Sequence, residues 1–402
     1  MKTNSALTAF FLQKSSDRFH WNPIPSLTFP RLMRHLDDFH RGKLQPAVQI
    51  WETIERRDDL LPCLIAKRVG DVKRRDWEIV TSENSPEAMQ QKIILEQFYN
   101  NLTCVNAYDQ NERGGLPLLI RQMMNAIGKR YAVHEIVFRP FQQNGEKFLT
   151  AEFRFVPLFF FENIDGRLHF VADDACKTPL EPNEWLITTG DGLMEACSIA
   201  YLFKHLSLRD WLIYCERNGM PGVKGITQAR PGSPEWEIAR EAVQNFGAEF
   251  HALMSAGTDI QAIDISGKGE LPYPKLIERM DRVMSALWRG SDLTTLSQEH
   301  GTGVTHQRTE RDLLGDGDAQ MISDTFNEQV DRYVLQTLTG TNFPKAYFKL
   351  KPSLNKNLNN DLAILRTLWE MGVPMSINDI REHFGINPPE NKNDTIQRHL
   401  QR

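Results

Sequence analysis

The chain has 402 residues, 41% of them apolar and 25% charged, with a formal net charge of -5. Such a length holds two or three structural units and buries enough apolar surface to need no disulfide or metal staple. The acidic balance excludes a protein built to grip nucleic acid through a strongly basic face, and no window approaches the roughly 18 apolar residues that span a bilayer.

Residues 1–50 read as an irregular arm, in which Pro23, Pro25 and Pro30 are followed by a short helix, "RLMRHLDDFHRG". The apolar run near the start lacks a small-residue cleavage site, so it is not read as a signal peptide. From Pro46, helical spacing links Val48, Trp51, Ile54, Leu61, Leu64 and Ile65, and the chain then enters a strand ending at Val80. Pro86 starts another helix, "PEAMQQKIILEQFYNNL", and Gly114-Gly115 opens a further apolar one, "LPLLIRQMMNAIGKRY". The pattern then alternates. "YAVHEIVFRP", "KFLTAEFRFVPLFFFEN" and "RLHFVAD" are predicted strands, with Asn144-Gly145 and Asp165-Gly166 as two-residue turns. Residues 132–188 therefore read as a Phe-rich β module inserted between two helices.

Asp191 is expected to cap a long helix that stops at Gly219. Leu193, Ala196, Cys197, Ala200, Tyr201, Phe203 and Leu206 spread around it, which predicts burial on several sides. After residue 222 the pattern is α/β: a strand "GVKGIT", a helix with Ser233 as its cap, and strands in "AEFHALMSA" and "DIQAIDIS". Residues 273–287 form a strongly periodic helix. A polar tract, 290–312, follows, and Asp316-Gly-Asp318 is placed at the start of the next helix. "NNDLAILRTLWEMG" and "SINDIREHFGI" make a helix pair, and the fold class is α+β.

Catalytic signatures are missing. "SGKGELPYP" lacks phosphate-loop spacing, His300 and His306 are six apart with no nearby ligand partner, and Asp316-Gly-Asp318 lacks the later residues of a calcium loop. No GxSxG or HExxH occurs, so no enzyme, cofactor or metal is expected. Cys63, Cys104, Cys176, Cys197 and Cys215 contain no CxxC pair and read as reduced thiols, with Cys197 and Cys215 as small core hydrophobes. The basic cluster "KRVGDVKRRDW" reads as solvated surface. The C-terminal pair at 360–386 offers an alternative, a helix-turn-helix DNA-binding regulator, although Asp379 and Glu382 suit a phosphate-facing helix poorly.

Four stretches, in order, resemble the Mu-like family of bacteriophage portal proteins: "LIAKRVGDVKRRDWEIV", "LSLRDWLIYCERNGMPGVKGIT", "IERMDRVMSALWRGSDLTTLSQEHGTG" and "LWEMGVPMSINDIREHFGINPPE". The resemblance covers about residues 50 to 390, and it departs at Trp288-Arg289, where Leu-Gly is expected. It implies the phage portal fold: an N-terminal arm (1–45), a wing (46–112), a stem helix (113–131), a β-rich clip (132–188), a second stem helix (189–218), more wing and a long helix (219–289), a tunnel loop (290–315), a wing or channel helix (316–345) and a helical crown (346–402). It implies a homo-oligomeric ring, generally a dodecamer, at a capsid vertex of the virion, assembled in the host cytoplasm. Double-stranded DNA would pass through it without sequence preference. Its partners would be the terminase large subunit, a head–tail adaptor, and the major capsid or scaffold protein, with no membrane.

The tunnel loop would present Thr294, Gln298, His300, Thr302, Thr305, His306, Gln307 and Arg308 to DNA. Neutral polar groups make weak, exchangeable phosphate contacts, whereas a ring of repeated cations would hold the duplex. The clip would dock motor and tail through Arg139, Phe141, Glu146 and Arg167, and Leu193, Ala200, Phe203 and Trp211 would meet neighbouring stems. A tail-connector ring is the nearest alternative.

Overall fold

Proline writes many of the helix starts. Its missing N–H and fixed φ suit the first helical turn, and a proline stands there in α1 (Phe29–His40), α2 (Gln45–Arg57), α3 (Leu61–Lys73), α4 (Pro86–Asn101) and α5 (Leu116–Met123). The computed structural model describes residue 24 and residues 27–143, 146–173, 176–219, 223–245, 251–255, 271–290, 303–352, 358–373, 376–377 and 380–381. The chain divides into a first unit through Lys351 and a second from Pro352.

Between α3 and α4 lies β1 (Trp77–Thr81), and after α4 come β2 (Thr103–Asn106) and β3 (Arg113–Gly114). A short helix, α6 (Asn125–Lys129), follows α5, and then β4 (Tyr131–Gln143), β5 (Glu146–Val156), β6 (Phe161–Ile164), β7 (Arg167–Asp173), β8 (Cys176–Pro179) and β9 (Trp185–Thr189). The alternation predicted for this stretch holds. The β4–β5 register places Gln143 opposite Glu146, and Asp165 and Gly166 both take positive φ between Ile164 and Arg167, as a two-residue hairpin turn requires.

The β-rich stretch lies between two helices as expected, but it is not a self-contained module. The five-stranded sheet runs β3-β2-β5-β4-β9, so strands from residues 103–114 share it, and β6-β7-β8 form a separate meander. Short-range alternation cannot show that β2 lies parallel to β5. Nor do residues 113–131 make one stem helix: α5 and α6 are two short, largely buried segments. Gly42, at φ 93, lets the α1–α2 turn touch β6; a Cβ there would collide with the Asn163 carbonyl, whose own N–H donates to Gly42 O at 2.9 Å.

From β9 the chain enters α7 (Met194–Gly219), β10 (Val223–Thr227), α8 (Pro234–Asn245), β11 (His251–Ser255) and α9 (Pro272–Arg289). α7 and α9 lie side by side and run in opposite directions: Cys197 faces Trp288, Lys204 faces Asp281, and Tyr214 faces Tyr273. β10 and β11 pair in parallel with α8 between them, in the segment that joins the far ends of this hairpin. Ser233 caps α8 as predicted, its Oγ accepting the Trp236 N–H at 3.2 Å. Asp191 is not the cap of α7; it lies three residues ahead of Met194, and the Leu193 and Gly192 carbonyls take the first N–H groups. Cys197 is buried as expected, but Cys215 is exposed.

The helix α10 (Gly303–Phe326) continues through a π-helical turn at Asn327–Asp331 into α11 (Arg332–Thr339). Asp316-Gly-Asp318 thus lies inside a helix, not at its start. β12 (Ala346–Leu350) returns to pair antiparallel with β1, so this strand belongs to the first unit. Around Tyr99 the core is aromatic: the rings of Trp77, Phe98, Phe326 and Phe348 lie 4.5–5.9 Å away. The Tyr99 hydroxyl donates to Asp331 at 2.6 Å, and the Phe348 N–H donates to the same carboxyl at 2.7 Å. The second unit contains α12 (Leu358–Glu370), which ends at Gly372 with φ 78.

Candidate nucleic-acid interface and its anchorage

Of the residues expected to face DNA, Thr294, Gln298, His300 and Thr302 lie outside the described residues. Thr305, His306, Gln307 and Arg308 lie in the first turns of α10, so this end of the tract is helical and not a loop. The sequence permits it, because Gln307, Arg308, Glu310, Arg311 and Leu313 are good helix formers that outweigh the nearby glycines.

The residues expected to dock partners stand on two sheets. Arg139 and Phe141 stand near the tip of the β4–β5 hairpin, where Arg139 pairs with Glu152 at 3.0 Å and the Phe141 ring lies tilted 5.5 Å from that of Phe148. Glu146 begins β5 at the same tip. Arg167 begins β7 in the other sheet. The expected inter-subunit residues divide as well. Ala200 is only 4% exposed and is used up inside the chain. Leu193 is half-buried and donates its N–H to Ile127 O, and Trp211 is half-buried too. Phe203 is 42% exposed and touches Phe29, with ring centroids 5.9 Å apart.

Two polar centres that sequence reasoning missed hold the hairpin and α10 to the body. The first is on α3. Its buried stripe is Leu61, Leu64, Arg68 and Val72, so Arg68 occupies a core position. Arg68 makes a two-pronged pair with Asp318 of α10 (Nε–Oδ2 2.7 Å, Nη2–Oδ1 2.8 Å), and Asp191 is 3.9 Å away. Its guanidinium also sits 6.0 Å from the Trp288 ring, and the indole N–H of Trp288 donates to Cys197 Sγ at 3.2 Å. Burial pushes that thiol up to about 12. Arg75 reaches Asp316 at 2.6 Å, and Arg289, the last residue of α9, reaches Asp71 at 3.2 Å. The expectation of a solvated basic surface is therefore wrong for Arg68 and Arg75. The available signal was Arg68 falling on the apolar stripe of α3.

The second centre is Lys204, fully buried on α7. Its ammonium donates to Asp58 (3.2 Å) and to Asp59, and forms an ion pair with Asp281 of α9 (2.7 Å). Asp58 also accepts the N–H groups of Leu60 (2.9 Å) and Leu61 (2.8 Å) at the start of α3, and His205 lies 3.6 Å from it. Burial pushes the Asp58 carboxyl up, but His205, Lys204 and the two backbone donors together bring it down to about 2. Burial raises Asp281. Burial also disfavours the Lys204 ammonium, yet Asp281, Asp58 and Asp59 raise its pKa above the ordinary value. Among the described residues, no group of His, Cys, Asp and Glu could hold a metal ion, and no helix is long and apolar enough to cross a membrane.

The sequence matches the family model described as the portal protein of Mu bacteriophage over residues 48–386. The chain belongs to this portal protein family. The family is a structural one, not a class of enzymes. A chain from the neck of an empty GTA particle shares the fold, with TM-score 0.51 and 13% identity over 85% of this chain and 93% of that one. An HK97-family phage portal protein from Corynebacterium diphtheriae gives TM-score 0.43 and 12% identity over 81% and 96%. No curated protein matches the sequence. Within the family frame, the α7/α9 hairpin has its root beside the α3 centre and its far ends joined through β10, α8 and β11.

Proposed function

We propose that copies of this portal-family chain close into a ring, generally of twelve, at one vertex of a phage capsid, and that double-stranded DNA enters and leaves through its centre. The carrying observation, beside family membership, is the antiparallel α7/α9 hairpin with a small α/β segment between its far ends. A portal needs a paired-helix stem, and this hairpin fits that need better than the short, buried α5 and α6. We accordingly assign the stem to α7 and α9 and the clip, which would dock the terminase large subunit and the head–tail adaptor, to residues 220–271. A ring uses the same contact head to tail around its circle, and exposed Phe203 and Leu212 on α7 offer apolar surface for it. The second unit is assigned to the crown.

In this reading residues 290–315 line the channel. Weak contacts from neutral polar groups let DNA slide, so the net charge of -5 is no obstacle. Purified full-length protein should appear in electron micrographs as rings with an open centre; a monodisperse monomer in several buffers would sink the proposal. Changing Gln298, Thr302 and Gln307 together to Arg should leave the rings intact and slow DNA packaging several-fold. Packaging at the wild-type rate would remove the tract from the channel wall.

A further inference from the structure

Gly-Asp-Gly-Asp is an odd sequence for the middle of a helix. Each glycine costs about 1 kcal/mol relative to alanine in a helix interior, yet Gly315 and Gly317 lie within α10. For Gly315 the reason is spatial. A Cβ at that position would lie 2.6 Å from Nη2 of Arg75. The missing side chain makes room for the guanidinium that pairs with Asp316. Gly317 has open space around its Cβ position, and the structure gives no packing reason for it. Two residues beyond Asp316, Asp318 receives the fork of Arg68, with only 6% and 5% of the two side chains exposed.

The same helix, α3, also takes hold of α9. Asp71 accepts from Arg289, and Arg68 lies against Trp288. So Arg68, Asp71 and Arg75, spaced over two turns, grip the last turn of α9 and the middle of α10. In sequence these are the two flanks of residues 291–302.

We propose that Arg68, Asp71 and Arg75 are positioning residues for the channel wall. They set the spacing of the two flanks of the tract, so that every subunit of a ring presents it at the same height and depth. This rests on reading 290–315 as channel lining. A wall of weak contacts needs it more than a tight binding site would: when each contact is weak, one subunit out of register becomes an obstacle to a sliding duplex. The grip is also near neutral, because Arg68, Arg75 and Arg289 meet Asp318, Asp316 and Asp71.

The test uses full-length rings with Arg75→Ala, with Asp316→Ala, and with the exchanged pair Arg75→Asp/Asp316→Arg. Amide hydrogen exchange should speed up by about tenfold or more across residues 303–318 in both single variants and stay unchanged in the β4–β5 sheet. DNA packaging should slow several-fold with ring formation retained, and the exchanged pair should recover both. Should Arg75→Ala fail to fold, Arg75→Lys keeps the charge, loses the planar guanidinium that reaches Asp316 and is read by the same exchange. Unchanged exchange in the variants overturns the grip whatever the packaging rate. Faster exchange with normal packaging overturns the positioning role. Failure of the wild-type chain to form rings would instead overturn the portal reading, and the exchange data would still decide the grip.

Discussion

Two buried cations of the first unit, Arg68 and Lys204, follow opposite rules. At Arg68 a flat, forked cation meets one buried carboxylate, Asp318, through two parallel bonds. At Lys204 a point charge stands among Asp58, Asp59 and Asp281, three carboxylates from two regions of the chain. The difference teaches what each chemistry is good for. Arginine's rigid fork fixes the direction of one partner, which suits holding α10 at a set angle to α3. Lysine's rotatable donors accept several partners at once, which suits a hub where the α2–α3 connection, α7 and α9 meet. The first centre is balanced in charge; the second sets three carboxylates around one ammonium, and burial, followed by the neighbouring Asp59 and Asp58, raises the Asp281 carboxyl.

The comparison is broken most severely at the hub. Lys204→Met should destabilise the chain by about 3–5 kcal/mol, because it leaves Asp58 and Asp281 in the interior without their cation. A chemical-denaturation midpoint on the purified protein reads the effect. A loss below about 1 kcal/mol would show that water or rearrangement relieves the carboxylates, and the hub would lose its claim to hold the hairpin. Adding Asp58→Asn should not restore the loss fully, since Asp281 still lacks its partner.

Arg68 comes next. Arg68→Met strands one buried carboxylate, not two, and should cost about 3 kcal/mol. Here the second substitution does help: Arg68→Met with Asp318→Leu removes both charges, and the midpoint should return to within about 1 kcal/mol of the starting protein, since an apolar pair can replace a buried ion pair. Near-complete recovery at Arg68 and only partial recovery at Lys204 is the sharpest form of the contrast. Equal behaviour at both would mean that the charge balance is irrelevant.

How much of this was legible beforehand depends on reach along the chain. Ser233 accepting the Trp236 N–H, the prolines in first helical turns and the Asp165-Gly166 turn are decided within four residues, and the sequence pattern exposes them. The strands of 131–189 were legible one by one from alternation, but not their sheet partners, because nothing local in Thr103–Asn106 says that it will lie beside β5. The polar centres were hardest. Asp318 is 250 residues from Arg68, and Asp58 is 146 from Lys204. A cluster such as "KRVGDVKRRDW" looks solvated until the α3 stripe is drawn and Arg68 falls between Leu64 and Val72. Asp316-Gly-Asp318 misled for a related reason: glycine and aspartate favour turns locally, and only the guanidinium of Arg75 explains Gly315 within a helix. The residues proposed to face DNA rest on family resemblance alone, since a polar tract has no periodicity to place it.

The smallest expected effect concerns acid. Asp58 titrates near 2 in the folded chain against an ordinary value of 3.8. The folded state therefore binds this proton more weakly than the unfolded state. The stability it contributes is fully present above about pH 4 and is lost as pH falls towards 2, a change of about 2 kcal/mol at most. Asp58→Asn keeps a carbonyl for the Leu60 and Leu61 N–H groups but removes the charge that Lys204 meets. Its urea midpoint should start lower than wild type at neutral pH, and the gap should narrow through that acid window as the wild-type carboxyl takes its proton. Other carboxylates titrate in the same range, so the difference between the two proteins is the quantity to follow. A gap that stays constant down to pH 2 would mean that Asp58 holds the start of α3 through the Leu60 and Leu61 N–H donors alone. The hub would then reduce to Lys204 with Asp59 and Asp281, a far looser joint than the Arg68 pair.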